Sequence, residues 1–239
     1  MSTNDRKIAL FSAIINEHIR NCGAVGSKLL VDKYQLGVSP ATVRNDMMEL
    51  EKEGYLTHQY TSAGRIPTEK GWKYYLDNLV HEKELATKEK GALTDAVADA
   101  PDYEAKTKRL AKALAELSQE AVVVAFSPDD IYYTGISCLF SQPEFRDFNI
   151  ISHITEVIDH LDDIVHDIFP NVKREIETLI GSENPFGKEC GTMMMQYTHD
   201  GKNSVMAIVG PMRMDYAANS CRLRFAQELL ETSQQNPHA

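Results

Sequence analysis

Gly37-Val38-Ser39-Pro40-Ala41-Thr42-Val43-Arg44-Asn45-Asp46 is the stretch of sequence that most constrains the fold. Ser39 followed by Pro40 predicts the start of a helix, because a serine oxygen can accept from the free amides of the first turn and proline fits the first helical position. The helix is predicted to run to about Glu53, and Gly54 is suited to a left-handed stop.

The two faces of this helix differ in chemistry. Val43, Met47 and Leu50 fall on one side of a helical wheel, so that side can pack against the rest of the protein. The other side and its flanks carry small, hydroxyl, amide, guanidinium and longer side chains: Ala41, Thr42, Arg44, Asn45, Met48 and Lys52. Small residues allow close approach to a DNA groove, and arginine and asparagine match base edges. A DNA-reading helix needs this distribution, but most amphipathic helices with such an outer face bind nothing, so the interpretation depends on the neighbouring segments.

The preceding residues predict two further helices. Apolar residues recur at helical spacing over residues 5–21, and Ser27 is a good N-cap for a second helix that runs to Tyr34. Leu36-Gly37-Val38 then forms the turn into the helix described above. Two helices followed by a tight turn and a third helix are the order of a helix-turn-helix unit. Ser27 and Ser39 mark the starts of two of these helices, where free backbone amides can bind phosphates.

The following residues predict a wing. Tyr55–Tyr60 and Arg65–Thr68 are typical of two short strands, with a turn between them. The tip holds Ser62, Gly64 and Arg65, which supply a hydroxyl, a bare backbone and a guanidinium for a phosphate or a minor groove. An ordinary surface hairpin is the alternative, but the preceding helices favour a winged helix.

The formal charge of −10 is distributed unevenly over the 239 residues. Residues 1–80 carry ten basic and nine acidic side chains, whereas the remainder carries 15 basic and 26 acidic ones. This asymmetry suits a DNA-binding head on an acidic body that would not itself lie against phosphates.

Other classes of protein are disfavoured by simple features of the sequence. No run of 18 apolar residues exists, so no membrane span is expected, and the N-terminus lacks a secretory signal. The four cysteines are scattered without a CxxC motif, which predicts reduced thiols in a cytoplasmic protein. No nucleophile–base pair, P-loop or dinucleotide fingerprint is present, so we predict neither an enzyme nor a cofactor site.

The second half predicts an α+β domain. Residues 81–120 are charged and alanine-rich, which is typical of a helical linker that breaks near Pro101; a dimerising helix is the alternative. From residue 121 onward, strands and helices are predicted around one sheet. The predicted strands are Ala121–Phe126, Ile131–Phe140, Glu175–Ile180, Cys190–Thr198 and Ser204–Val209, and the predicted helices are Ile151–Phe169 and Met214–Thr232.

Two polar groupings in this half are candidate sites. One helix face carries side chains that resemble metal ligands: His153, Glu156, His160, Asp163 and Asp167. A solvated face explains them better, since no third firm ligand is evident. Glu183-Asn184 and Arg213-Asp215 could form a polar site, but a structural turn and an internal ion pair are the simpler interpretations. We therefore predict no metal site.

Several motifs occur in both halves of the chain. They are Val38–Met47 with Leu50-Glu51 and Gly54-Tyr55-Leu56, Thr61–Thr68 with Gly71 and Tyr74-Tyr75, Gln142–Phe145, Ile180–Asn184 and Val209–Tyr216. Together, in this order across most of residues 5–230, the motifs resemble the HrcA family of heat-inducible transcription repressors.

The resemblance implies a winged-helix N-terminal domain and a GAF-like C-terminal domain. It also implies a repressor that binds an inverted-repeat operator ahead of chaperone genes, that the chaperonin GroEL keeps competent, and that heat stress releases. Family members usually carry an inserted dimerising domain, but Phe126 is followed almost directly by Ile131, which leaves no room for it. Met212 stands where the family usually has threonine, a difference that affects local packing.

These inferences define one working hypothesis. We expect a winged helix-turn-helix at 1–80, a helical linker at 81–120 and a GAF-like effector and dimerisation domain at 121–239. A homodimer is expected to bind double-stranded DNA through Ser27, Ser39, Ala41, Thr42, Arg44, Asn45, Ser62, Gly64 and Arg65. The alternatives are a regulator whose GAF-like domain senses a small molecule, and an interaction protein that binds a chaperone and has lost DNA binding.

Overall fold

The computed structural model describes residues 3–34, 36–58, 64–81 and 83–232. The chain divides into two compact units, Met1–Val80 and His81–Ala239. Each unit has its own hydrophobic core and is described by itself.

The first unit consists of four helices and a short antiparallel sheet. Its elements are α1 (Thr3–Asn21), α2 (Ser27–Tyr34), α3 (Pro40–Lys52), β1 (Leu56–Thr57), β2 (Ile66–Pro67) and α4 (Glu69–Asn78). The predicted bounds of α1, α2 and α3 are therefore confirmed to within two residues.

Local chemistry sets both ends of α3. Ser39 is the N-cap, with extended backbone angles and a side chain that accepts from the amide of Thr42. Gly54 adopts a φ of +82°, the left-handed conformation that glycine reaches without a Cβ clash, and the helix stops there. Both features were predicted from the sequence.

The sheet of the first unit includes one residue that the sequence did not indicate. β1 and β2 pair through Leu56↔Pro67 and Thr57↔Ile66. Val25, in the connection between α1 and α2, forms an isolated bridge with Arg65, and the two residues exchange both backbone hydrogen bonds at 2.9 Å. The segment before β2 is thereby hydrogen-bonded to the connection between α1 and α2. Residues 59–63, which include Ser62 of the predicted wing tip, lie outside the described residues.

The core of the first unit lies between its helices. Leu10, Phe11, Ile14 and Ile15 of α1 are at most 2% exposed, and the predicted packing residues of α3 are buried with them. Trp72 of α4 is also buried, so α4 packs against the same core.

The second unit is a five-stranded antiparallel sheet with helices on both faces. Its helices are α5 (Thr87–Val97), α6 (Tyr103–Ser118), α7 (Ile136–Ser141), α8 (Phe148–Asp159), α9 (Leu161–Ile168) and α10 (Tyr216–Glu231). Its strands are β3 (Ala121–Ser127), β4 (Asp130–Thr134), β5 (Glu177–Ile180), β6 (Cys190–His199) and β7 (Lys202–Pro211), in the order β4-β3-β7-β6-β5.

Alternation along β3 divides the core of this unit into two layers. Val123 and its neighbours on one face pack with α7, α8 and α9. Val122 and Val124 point the other way and are fully buried, on the side that α6 and α10 cover. The predicted mixture of helices and one sheet is confirmed.

Residues 81–120 differ from the predicted linker. Leu93 of α5 and Leu110 and Leu114 of α6 are fully buried, and α6 packs on β3 and α10. The segment is part of the second unit rather than a solvated spacer. The apolar stripe of α6 is narrow and built partly from alanines, so the composition suggested solvent exposure. In the structure this face of the helix is covered.

Two predicted elements of the second unit are wrong in part. The strand expected over 131–140 ends at Thr134, because Gly135 takes a φ of +79° and α7 begins at the next residue. The single helix expected over 151–169 is broken at His160, whose backbone angles leave the helical range. A hairpin joins β6 to β7, with positive φ at Asp200 and Gly201.

The connection between β3 and β4 is a tight hairpin. Ser127 and Asp130 pair directly, so only two residues separate the strands. An inserted domain is therefore absent from this connection, as the sequence indicated.

Candidate nucleic-acid interface

The outward face of α3 presents the side chains predicted to read DNA. Ala41, Arg44 and Asn45 are exposed and Thr42 is half-buried. Met48, one turn beyond Arg44, is an exposed large apolar side chain. The opposite face is buried, as the amphipathic pattern predicted, so the orientation of the helix is set by its own packing.

The first turn of α3 offers fewer free amides than expected. Pro40 has no N–H, the amide of Thr42 donates to Ser39 Oγ at 3.2 Å, and that of Val43 donates to Ser39 O at 3.0 Å. Among the described residues, the Ala41 amide is left without an internal acceptor. The hydroxyls of Ser39 and Thr42 lie 3.0 Å apart on the exposed side. A phosphate would thus meet one amide and two hydroxyls here.

The acidic residues of α3 and its C-cap form ion pairs with basic residues of the same unit. Arg6 holds Asp46 through two hydrogen bonds, of 2.8 and 3.1 Å. Lys7 binds both Glu49 and Glu53. These pairs connect α1 to α3 across about forty residues of sequence, which is why periodicity did not reveal them.

Glu51 of α3 pairs with two basic side chains next to β1 and β2. Its carboxylate accepts from His58 and from Arg65, whose Nε lies 2.8 Å away. Burial raises the pKa of Glu51, but the hydrogen bonds from His58 and Arg65 outweigh it and hold that pKa below its ordinary value. The carboxylate is therefore charged at neutral pH and connects α3 to the wing strands.

Arg44 differs from these paired residues. Within the described parts of the chain, neither Arg44 nor Asn45 has a side-chain hydrogen bond or an ion pair, and both are exposed. The outer face of α3 consequently carries an uncompensated positive charge beside an amide. That is the chemistry that phosphates and guanine or adenine edges require.

Three residues that were predicted to contact DNA, Arg65, Gly64 and Ser27, have mainly internal contacts. The side chain of Arg65 is 16% exposed and its guanidinium is bound to Glu51. Arg65 therefore connects the predicted wing to α3 and does not extend from the wing tip. A Cβ on Gly64 would lie 2.4 Å from the carbonyl of Val25, so this glycine permits the close approach of two backbones. Ser27 is buried in the first turn of α2. Ser62 lies outside the described residues.

The predicted polar groupings of the second unit have structural partners. His153 pairs with Glu189, and His160 with Asp163. Asn184 bridges a buried turn through Thr192, as the turn interpretation expected. In the described ranges, no three His, Cys, Asp or Glu side chains are placed to hold a metal ion.

The internal ion pair predicted between Arg213 and Asp215 is not the one observed. Arg213 binds Glu144 and Gln142 instead. Asp215 caps α10 through the amide of Ala218 and pairs with Lys83. The residues are neighbours in sequence, but the fold turns their side chains towards different elements.

A cavity between the sheet and α8 bears on the ligand-sensing alternative. Its volume is about 30 Å³, and Ile154, Phe186 and Cys190 are among its lining residues. This is about the volume of one water molecule, and the lining is apolar. The cavity offers a metabolite neither room nor a polar group to orient it.

Comparison with known proteins identifies the family. The family model described as "HrcA protein C terminal domain" matches residues 41–219, which is more than half of the chain. The chain belongs to the HrcA family. This agrees with the motifs in both units, from the start of α3 to the region that follows β7.

Curated HrcA relatives match half of the chain. The heat-inducible transcription repressor HrcA of Kineococcus radiotolerans is 43% identical over 124 residues, 52% of this chain and 36% of the relative. The protein of the same name from Cutibacterium acnes is 40% identical over 123 residues, with the same coverage. The match thus spans about a third of the length of these relatives.

A solved structure shares the fold of almost the whole chain. It is titled "Crystal structure of a hypothetical protein at 2.2 A resolution", and it superposes with a TM-score of 0.77 at 17% identity. The likeness covers 97% of this chain and 98% of that one. At this identity it bears on the fold alone. Across the described residues, no helix is long and apolar enough to cross a membrane.

Proposed function

We propose that this HrcA-family chain is a transcription repressor whose first unit is a winged helix-turn-helix that binds double-stranded DNA. The observation that carries the proposal is the outer face of α3. Arg44 and Asn45 are exposed and unpaired there, in the described structure, while the four acidic residues of α3 and its C-cap have basic partners within the unit. The names of the HrcA relatives support the same role.

Recognition divides between α3 and the wing. Arg44 and Asn45, with Thr42 and Ala41 beside them, contact base edges in the major groove, and the hydroxyl of Ser39 contacts a phosphate. Arg65 acts indirectly, because its bond to Glu51 sets the position of the wing relative to α3. Arg65 is thus a positioning residue in this proposal.

Repression requires two copies of the recognition helix. One unit reads one half-site, so an inverted repeat calls for a two-fold homodimer that occludes the promoter. The resemblance to the family supports chaperone genes as targets, release on heat stress and modulation by GroEL. Thermal release needs only a marginally stable dimer, since 1–2 kcal/mol changes a population roughly tenfold.

The test is a footprint and a gel-shift titration on inverted repeats from the chain's own genome, at two temperatures. We expect symmetric protection at the lower temperature and loss of protection on warming. Arg44→Ala is expected to weaken specific binding by ~1–3 kcal/mol. The matched control is Arg20→Ala, which removes an exposed arginine at the end of α1 that lies outside the proposed contact surface.

Two results would contradict the proposal. One is an operator affinity that Arg44→Ala leaves unchanged while the variant remains folded. The other is an equal loss of affinity in Arg20→Ala, which would show that net charge, and not the face of α3, accounts for the binding.

A further inference from the structure

Met48 is a large apolar side chain on the polar outer face of α3. It is 43% exposed, whereas its neighbour Met47 is 4% exposed and belongs to the core. At about 100° per residue, the buried Val43 and Leu50 lie about 140° and about 160° from Met48 around the helix axis. The packing of α3 therefore points Met48 away from the core.

Met48 lies among the side chains that are proposed to read bases. It falls about 40° from Arg44, inside the arc of about 100° that Arg44 and Asn45 span. Ala41, two turns earlier, falls in the same arc, so small and apolar groups run along the middle of the outer face. Single exposed apolar residues are common on protein surfaces. The position of Met48 between two base-reading side chains, and not its exposure alone, indicates a role.

The charges around Met48 favour a nucleic acid over a second protein copy. Arg44 and Lys52 lie one turn before and one turn after Met48, are exposed, and have no ion pair among the described residues. A second copy placed on this face by two-fold symmetry would bring these like charges together. Phosphates border the DNA groove on both sides, so the same two cations stabilise a contact with DNA.

Thymine is the base whose major-groove edge matches an apolar side chain. Its 5-methyl group is the apolar feature that distinguishes it in that groove. A methionine side chain is flexible and polarisable, so it adapts to a small apolar surface. Met48 lies about 6 Å beyond Arg44 along the helix axis, which corresponds to about two base-pair steps. The two side chains therefore reach different base pairs of one half-site.

We propose that Met48 is a specificity-determining residue that packs against the 5-methyl group of a thymine in each half-site. The inference rests on the proposed function and deepens it, because it names the base that an additional residue of α3 reads. Arg44 and Asn45 supply hydrogen bonds, whereas Met48 removes a methyl group from water. A cytosine at that position would leave Met48 against a base edge that has no methyl group.

The experiment removes the methyl group and the side chain separately. The full chain is titrated in gel-shift assays, at constant salt, against the inverted repeat that it protects in the footprint. The compared operators carry deoxyuridine in place of one symmetry-related pair of thymines at a time. Deoxyuridine keeps the base pairing and the O4 acceptor of thymine and lacks the 5-methyl group. For one pair of thymines we expect a loss of about fourfold in affinity per half-site, the contribution of one buried methyl group.

Three variants assign that loss to Met48. Met48→Ala should weaken binding to the thymine operator and remove the difference between thymine and deoxyuridine at that pair. Met48→Leu keeps an apolar side chain of similar volume and should retain the difference. Leu29→Ala is the matched control, because Leu29 of α2 is 44% exposed and lies outside the outer face of α3. It should leave the methyl dependence unchanged.

The proposal is wrong if no pair of thymines shows methyl dependence, or if Met48→Ala keeps the dependence that the unaltered chain shows. An equal loss of affinity on both operators in Met48→Ala would place Met48 in a contact with something other than the methyl group, and would also refute it. Met48 is exposed, so Met48→Ala is expected to fold, and the Trp72 fluorescence transition in urea verifies this. The comparison of operators with the unaltered chain depends on no variant.

Arg44→Ala distinguishes this inference from the proposed function. Operator binding that Arg44→Ala weakens, without any coupling between Met48 and a methyl group, would refute the inference alone. The absence of specific binding by the unaltered chain would refute the proposed function and this inference together.

Discussion

Replacing Glu120 with glutamine is expected to stabilise the second unit at neutral and alkaline pH. Glu120 lies between α6 and β3, is 5% exposed, and its Oε2 has no hydrogen-bond partner among the described residues. Gly210 makes room for it, since a Cβ there would lie 2.1 Å from that oxygen. Burial, opposed in part by the charge of Arg213, raises the pKa of Glu120 to about 9.

The sign follows from the two pKa values. In the unfolded chain the group titrates near its ordinary value of 4.5, whereas in the folded chain it keeps its proton up to about 9. The folded state therefore binds more protons between these limits, and the free energy of unfolding falls as the pH rises. One pKa unit corresponds to about 1.4 kcal/mol, so this group alone removes up to roughly 4 kcal/mol between pH 5 and pH 8.

Glutamine has almost the same shape and no charge to lose, so this slope should disappear in Glu120→Gln. Urea unfolding followed by far-UV circular dichroism at pH 5, 6, 7 and 8 measures it. Trp72, the single tryptophan, lies in the first unit and reports that unit's transition by fluorescence in the same samples. Glu116→Gln is the control, because Glu116 is exposed on α6 and should leave the slope unchanged.

The reasoning is refuted if the unaltered chain and Glu120→Gln show the same dependence of the second unit's stability on pH. It is equally refuted if Glu116→Gln flattens the slope as much as Glu120→Gln does. A shift confined to the Trp72 transition would place the titrating group in the first unit.

Three further substitutions test individual contacts. Ser39→Ala removes the cap of α3 and should lower the stability of the first unit by about 1 kcal/mol, seen as an earlier Trp72 fluorescence transition in urea. Gly64→Ala places a methyl group against the backbone of Val25 and should cost the same transition roughly 1–3 kcal/mol; an unchanged midpoint would mean that the wing moves freely. Leu110→Ala should destabilise the second unit by about 3 kcal/mol in circular dichroism while the Trp72 transition stays in place, an outcome that a solvated linker at 81–120 would not produce.

Much of the first unit could be predicted because its signals are local. The Ser39 cap, the Gly54 stop and the apolar stripe of α3 all act within a few residues, so the face that carries Arg44 and Asn45 was visible in the sequence. The Arg6–Asp46 and Arg65–Glu51 pairs were not, because they join residues that approach only after the helices and the wing have packed. The prediction that Arg65 extends from the wing tip differed from the structure for the same reason.

In the second unit, errors arose where context outweighs local preference. The run after Ile131 has the composition of a strand, but the chain turns into α7 after Gly135. A Cβ added to Gly135 would lie 2.4 Å from the carbonyl oxygen of Glu120. The narrow apolar stripe of α6 similarly gives no sign of the sheet that covers it. The order of the five strands depends on pairing between distant residues, which no local pattern encodes.

The sequence by itself determined which helix presents its polar face outward, where that helix begins and ends, the mixed α+β class and the motifs of the family. Each depends on spacing or on interactions within one or two turns. Only the tertiary structure decided which charged side chains of α3 have ion-pair partners, and that α5 and α6 belong to the second unit. These features arise where side chains far apart in sequence meet, and their positions depend on packing.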